Sequence, residues 1–99
     1  MLESDVLETL KRVIDPEAGV NIVDLGLVYK VVPSEDGVKI IMTMTTQSCP
    51  MGEHLTEQAE RVVRLKFPEL KSVEVDLVWD PPWSPSMMSE AAKKQLGAY

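Results

Sequence analysis

The 99 residues are enough for one domain with a modest core and too few for two, so residues 1–99 are predicted to form a single domain. The net charge of −6 at pH 7, with Lys and Arg dispersed along the chain, argues against a general nucleic-acid binder. No apolar run approaches membrane-spanning length, and the acidic N-terminus lacks a secretory pattern. A lone cysteine cannot form an internal disulfide, so we expect a cytoplasmic protein.

The first predicted element is an amphipathic helix, because its apolar residues follow the i, i+1, i+4, i+7, i+8 spacing. Ser4 or Asp5 can cap its start. Pro16 ends the helix, since the residue before a proline is pushed out of the helical region, and residues 15–19 are predicted to turn. The apolar positions are Val6, Leu7, Leu10, Val13 and Ile14.

A β-hairpin is predicted next. Residues 27–32 form its first strand, and Asp36-Gly37 is a strong turn signal. Residues 38–45 form the second strand, with alternate positions apolar. These apolar positions are Val38, Ile40, Met42 and Met44.

The remaining elements are a helix over residues 50–67, a strand over 73–79 and a final helix over 86–96 that Gly97 ends. Prolines within residues 80–85 exclude both helix and sheet interior there. The order helix–hairpin–helix–strand–helix predicts an α+β two-layer sandwich with a small mixed three-stranded sheet. The second and third strands flank a helix and are therefore expected to run parallel, and the strand order is left open.

Cys49 is the strongest candidate for chemistry, because it lies where a predicted strand gives way to a helix. Pro50 suits the first position of a helix, which places Cys49 at or beside the N-cap, near the positive end of the helix dipole. A thiol there is expected to ionise readily, and the thiolate is both the nucleophile and the metal ligand. The alternative is a small buried residue that happens to be cysteine.

A complete Cys/His metal site cannot be built from one copy, because the chain has one Cys and one His and such sites need about four ligands. His54 lies five residues beyond Cys49 and about 140° around a helix from it, so a surface His54 is the better interpretation. Asp15, Glu17 and Asp24 form a carboxylate-rich stretch that either binds a hard metal, acts as a base, or is merely solvated or capping.

Several neighbours of these residues have two interpretations each. The hydroxyls of Thr43, Thr45 and Thr46 either hydrogen-bond a thiolate or bound sulfide, or satisfy loop backbone. Gly26 indicates a close backbone approach or a positive-φ turn.

The aromatic and methionine residues near the C-terminus also leave alternatives. Trp79 is in phase with the core face and is expected in the core, whereas Trp83 either covers the Cys49 end or marks a partner surface. Met87 and Met88 indicate core packing or an adaptable interface.

From Val13 to about Leu96 the chain resembles the small iron–sulfur cluster assembly domain family, the SufT-like and PaaD-like proteins of metal–sulfur cluster biosynthesis. Longer PaaD-type members have a cysteine-bearing extension, so the end soon after Leu96 favours the shorter SufT-like kind. The matching stretches, in order, are Asp15-Pro16-Glu17, Asp24-Leu25-Gly26-Leu27-Val28-Tyr29, Met42-Thr43-Met44-Thr45-Thr46, Cys49-Pro50, Asp80-Pro81-Pro82-Trp83 and Met88-Ser89.

The resemblance implies a non-catalytic protein that assists iron–sulfur protein maturation as a cluster carrier or scaffold. Its loop cysteine corresponds to Cys49, the expected ligand of a transient cluster or iron, with Thr46 beside it. Supporting or partner-facing roles are expected for Asp15, Glu17, Asp24, Thr45, Trp83 and Met88.

Expected partners are other iron–sulfur assembly proteins and apo client proteins, with neither nucleic acid nor membrane, and a homodimer is left open. Two alternatives remain. One is an adaptor that docks clients or assembly factors without holding metal. The other is a cysteine-dependent transferase, which needs a base near Cys49.

Overall fold

The computed structural model describes residues 3–16, 18–45 and 51–97, and these form a small α+β fold. The predicted helices, hairpin and following strand are all present, and a short two-stranded ribbon is added near the N-terminus. The helices are α1 (Glu3–Leu10), α2 (Met51–Lys66) and α3 (Glu90–Leu96), and a 3₁₀ turn covers Pro85–Met87. The strands are β1 (Ile14–Asp15), β2 (Val20–Asn21), β3 (Val28–Pro33), β4 (Gly37–Met42) and β5 (Ser72–Leu77).

The main sheet has the strand order β3-β4-β5. β3 pairs antiparallel with β4, and β4 pairs parallel with β5, which confirms the mixed three-stranded sheet. The order places β4 at the centre. The parallel pair needs a long crossover between its strands, and α2 supplies it.

One face of the sheet forms the hydrophobic core. Val31, Ile40 and Val75 lie side by side in register on that face, and the first two are almost fully buried. α1 packs on β3 and α2 packs on β5. α2 contributes Leu55, Ala59 and Val63 at the i, i+4, i+8 spacing expected of a helix with one buried side. None of the described helices is both long and apolar enough to cross a membrane.

The N-terminal helix is shorter than predicted, and the prediction for Ile14 is wrong. α1 ends at Leu10, where the backbone N–H of Val13 donates to the Leu10 carbonyl (3.0 Å) in a tight turn. Ile14 then pairs with Asn21 in the β1–β2 ribbon, and the residue is 47% exposed. The apolar periodicity continued past the point where the chain changes direction.

The C-terminal part also departs from prediction. Trp79 is 37% exposed rather than in the core, because β5 ends at Leu77 and the strand alternation stops there. The single predicted helix over residues 86–96 is broken at Ser89, which caps α3 by accepting a hydrogen bond from the Ala92 N–H (3.2 Å). Gly97 adopts the left-handed conformation just after α3, which confirms it as the C-terminal stop.

Candidate functional site

Three of the predicted site residues, Glu17, Thr46 and Cys49, lie outside the described residues, so the roles assigned to them stay predictions. The two elements that flank Cys49 in the sequence are described. β4 ends at Met42 and α2 begins at Met51, which confirms a strand before the cysteine and a helix after it. The stretch with the only cysteine therefore follows the central strand of the sheet.

Asp15 ends β1 and is 3% exposed. Its carboxylate Oδ1 accepts a hydrogen bond from the backbone N–H of Ala18 (3.4 Å), and its carbonyl accepts one from the N–H of Gly19 (2.7 Å). Gly19 adopts a positive φ of 71°, which closes the turn. Asp15 therefore has a capping role in this turn, one of the alternatives that its sequence left open.

Asp24 is held by a residue that the sequence reasoning missed. Asn21 donates from Nδ2 to Asp24 Oδ2 (2.7 Å). Its Oδ1 also accepts hydrogen bonds from the backbone N–H groups of Val23 (3.0 Å) and Asp24 (2.9 Å). Asn and Asp side chains favour turns of this kind, so the Asn21-Ile-Val-Asp24 spacing was an available signal. Asn21 fixes the position of the Asp24 carboxylate.

The turn formed by residues 24–26 is attached to the segment formed by residues 81–89. The indole Nε1–H of Trp83 donates to the Leu25 carbonyl (2.7 Å), and the Ser89 N–H donates to the Asp24 carbonyl (2.7 Å). Gly26 has a φ of +80°, and a Cβ built on it would lie 2.8 Å from the carbonyl carbon of Met87. Both predictions for Gly26, a positive φ and a close backbone approach, are confirmed.

Tyr29, in the matching stretch but without a predicted role, extends this attachment. Its hydroxyl donates to the Pro81 carbonyl (2.7 Å) and lies 3.7 Å from Met87 Sδ. The 81–89 segment is therefore attached to the N-terminal half of the chain by Tyr29 as well as by the 24–26 turn.

Met87 and Met88 differ in burial, and the two interpretations given for them were core packing and an adaptable interface. Met88 is 6% exposed and belongs to the core, whereas Met87 is 38% exposed. Met88 therefore matches core packing, one of the two interpretations, and its supporting or partner-facing role in function stays a prediction. Trp83 is half-buried against the core and uses its N–H within the chain.

The threonines after β4 continue its hydrogen bonding. The Thr43 N–H donates to the Leu27 carbonyl (2.8 Å), and Thr43 is 1% exposed. Its Oγ1 is buried without a hydrogen-bond partner among the described residues. Thr45 is half-buried. The threonine-rich stretch that leads toward Cys49 is thus packed into the fold at Thr43 and partly open at Thr45.

His54 is exposed on α2, as predicted, and its Nε2 lies 2.9 Å from Gln58 Nε2, one turn along the helix. Within residues 3–16, 18–45 and 51–97, no three His, Cys, Asp or Glu side chains are placed to hold a metal ion. The carboxylates of Asp15 and Asp24 accept hydrogen bonds that support their turns.

Replacing Trp83 with phenylalanine should lower the free energy of unfolding by about 1–3 kcal/mol, because ring packing is kept but the Leu25 carbonyl loses its donor. Urea denaturation measures this change. Trp79→Phe is the matched control, since Trp79 is partly exposed and should tolerate the same change with an effect below about 0.5 kcal/mol. Equal effects of the two variants would contradict a structural role for the indole N–H.

The comparisons with known proteins agree on one protein family. Residues 3–77 match a family model described as iron–sulfur cluster assembly protein. The Fe–S protein maturation auxiliary factor SufT of Staphylococcus aureus (strain USA300) is 49% identical over 86 residues, which cover 86% of this chain and 97% of that protein. The auxiliary factor YitW of Bacillus subtilis (strain 168) is 42% identical over 97 residues, 97% of this chain and 94% of that protein.

Solved structures agree with the sequence comparisons. The crystal structure of a domain of unknown function from Bacillus anthracis matches with a TM-score of 0.91 and 43% identity, covering 98% of this chain and 92% of that one. The fold, the family model that matches residues 3–77 and the relatives of similar length therefore agree. This chain belongs to the iron–sulfur cluster assembly protein family.

Proposed function

We propose that this protein assists the maturation of iron–sulfur proteins in the cytoplasm, as a non-catalytic carrier or scaffold that holds a cluster transiently through the Cys49 thiolate. Thr46 is proposed to hydrogen-bond the bound sulfide or the thiolate. The family membership and the names of the relatives that match nearly the whole chain support the role in maturation. The thiolate mechanism rests on the sequence position of Cys49.

The observation that carries the mechanism is the placement of the only cysteine between the central strand and the longest described helix. The two elements that flank it in sequence are anchored in the core, β4 by Met42 and α2 by Leu55. The turns that contain Asp15 and Asp24 have their own fixed hydrogen bonds. We assign these carboxylates a supporting role, because each accepts a hydrogen bond within its turn.

One thiolate per copy determines how the cluster would be held. Iron–sulfur clusters take about four protein ligands, so the others must come from a second copy, from glutathione or from cysteines of a client or another assembly protein. Incomplete ligation by one chain makes binding labile. Such binding suits a carrier, because a carrier must release the cluster to its client.

The proposal is tested by anaerobic reconstitution of the purified protein with ferrous iron, sulfide and glutathione. We expect visible charge-transfer absorbance, roughly equal amounts of iron and sulfide, and loss of both to an added apo-ferredoxin within minutes. A protein that binds no iron or sulfide but still captures assembly factors in a pull-down would be an adaptor, and the carrier mechanism would be wrong. A cluster that apo-ferredoxin cannot remove would also contradict transfer.

A further inference from the structure

The sheet face opposite the core carries an ordered set of exposed side chains, which we call the open face. Two rows cross the three strands in register. The first row is Lys30, Ile41 and Asp76, and the second is Val32, Lys39 and Glu74. Val32 is 39% exposed, and the side chains of Lys39, Asp76 and Glu74 are 45%, 51% and 67% exposed. The helices α1 and α2 fill the core on the other side of the sheet, so this face remains open.

The open face is electrically balanced on an acidic protein. Its two rows carry two lysines and two carboxylates, whereas the whole chain has a net charge of −6. Lys39 Nζ lies 3.3 Å from Asp76 Oδ2 and 3.7 Å from Glu74 Oε2, so it leans toward β5. Lys30, on β3, makes no ion pair with any residue that the structure describes. The charge therefore runs from positive at β3 to negative at β5.

We propose that the open face binds a second copy of the chain, sheet against sheet, about a two-fold axis that runs along β4. This rotation places β3 of one copy over β5 of the other. In the first row Lys30 then faces Asp76 of the second copy, and Ile41 faces its own counterpart at the axis. In the second row Val32 faces Glu74, and Lys39 faces its own counterpart while keeping Asp76 and Glu74 of its own chain as partners. Each copy's Lys30 gains a carboxylate, and the two Ile41 side chains are buried together.

The alternative symmetry is disfavoured by charge. A two-fold axis in the same plane but perpendicular to the strands would place β5 over β5, with Asp76 facing Glu74 of the second copy. Like charges placed opposite each other cost free energy and suppress that arrangement. The proposed stacking forms two Lys30–Asp76 pairs against one opposition of Lys39 with itself, whereas the perpendicular axis forms two oppositions of carboxylates and no pair of opposite charges, so charge favours the proposed stacking.

The size of the face sets the strength of the dimer. Three strands of six residues, with a rise of about 3.3 Å per residue and a spacing of about 4.8 Å, give a footprint of roughly 20 by 14 Å. This is smaller than the roughly 800 Å² per partner of a standard stable interface. The dimer is therefore weak, with dissociation in the micromolar to millimolar range, and sensitive to salt because ion pairs contribute to it.

Sedimentation velocity of the metal-free protein, from micromolar to millimolar concentration, tests this inference independently of cluster binding. We expect a reversible dimer whose dissociation constant rises with salt. Asp76→Lys makes the first row basic at both ends, and Lys30→Asp makes it acidic at both ends, so each variant alone should dimerise at least about tenfold more weakly. An equimolar mixture of the two variants should recover dimers, because a basic face then meets an acidic one.

Matched controls carry the same charge changes away from the open face. Glu69→Lys and Lys66→Asp, both exposed, should leave dimerisation within about twofold of the unmodified chain. Circular dichroism confirms that each variant is folded, and Ile41→Lys at the axis gives a second disrupting variant. A monomer at every concentration would overturn the proposal and leave the face to a different protein. Dimers that survive the disrupting variants, or a mixture that stays monomeric, would overturn it too.

Discussion

Replacing Cys49 with serine is expected to abolish cluster binding, reducing iron and sulfide after anaerobic reconstitution to the level of a protein-free control. The change removes one sulfur atom and keeps a side chain of nearly the same size, so folding should be preserved. It also removes the only thiolate of the chain, and thiolates are the ligands that hold iron–sulfur clusters. Iron and sulfide analysis together with visible absorbance measures the loss.

The control for this experiment is His54→Ala. His54 is the only histidine in the sequence, and histidine replaces cysteine as a ligand in some iron–sulfur centres. It is exposed on α2 beside Gln58. We expect this variant to take up iron and sulfide like the unmodified protein. If Cys49→Ser retained a full cluster, the carrier mechanism would be wrong whatever the behaviour of His54→Ala.

Gly26→Ala is expected to lower the free energy of unfolding by about 3 kcal/mol or more, a large share of the roughly 5–15 kcal/mol typical of a domain. Two costs combine. A residue with a Cβ is strained at a φ of +80°, by about 1–2 kcal/mol. The added Cβ would also approach the carbonyl carbon and the Cβ of Met87 to 2.8 and 2.9 Å, so the attached 81–89 segment must shift, which costs about 1–3 kcal/mol more.

Gly19→Ala separates these two costs. Gly19 has a similar φ of +71°, but an added Cβ would have no atom within 4 Å among the described residues. We therefore expect this variant to lose only the conformational part, about 1–2 kcal/mol. Urea denaturation of both variants gives the comparison. An equal loss in the two variants would mean that the contact with Met87 is not tight.

The sheet and its main helix could be predicted because their signals are local. Alternation identified the buried side of β4, and the helix predicted over residues 50–67 agrees closely with α2. The parallel pairing of β4 with β5 followed from the helix between them. The strand order was not predictable, because the pairing of β3 with β4 does not determine which edge of the hairpin β5 will join.

The errors arose where the apolar periodicity of a helix or strand continues beyond the residue at which that element ends. Ile14 continues the periodicity of α1, but two-residue strands such as β1 and β2 have too little alternation to compete with a helical pattern in sequence. Trp79 continues the alternation of β5 by two positions beyond its end. In the first case a tight turn closed by Val13 and Leu10 redirects the chain, and in the second the strand ends at Leu77.

The residues of the candidate site could be predicted from the sequence, but the hydrogen bonds between distant residues could not. Asp15, Asp24, Gly26 and Trp83 were all identified from sequence, yet the hydrogen bond from Trp83 to Leu25 joins residues 58 positions apart. No local signal specifies a contact of that separation. Asn21, by contrast, lies three residues from Asp24 and was detectable by its turn-forming chemistry.

The attachment of the 24–26 turn by Trp83 and Ser89 has a consequence for biosynthesis. A chain emerges from the ribosome from its N-terminus, at about 5–20 residues per second. The 24–26 turn is synthesised early, but Trp83 and Ser89, which donate hydrogen bonds to it, are added only after the last strand of the sheet. A nascent chain interrupted after β5 would contain every strand and still lack a finished turn, so the final arrangement of this region is a property of late synthesis.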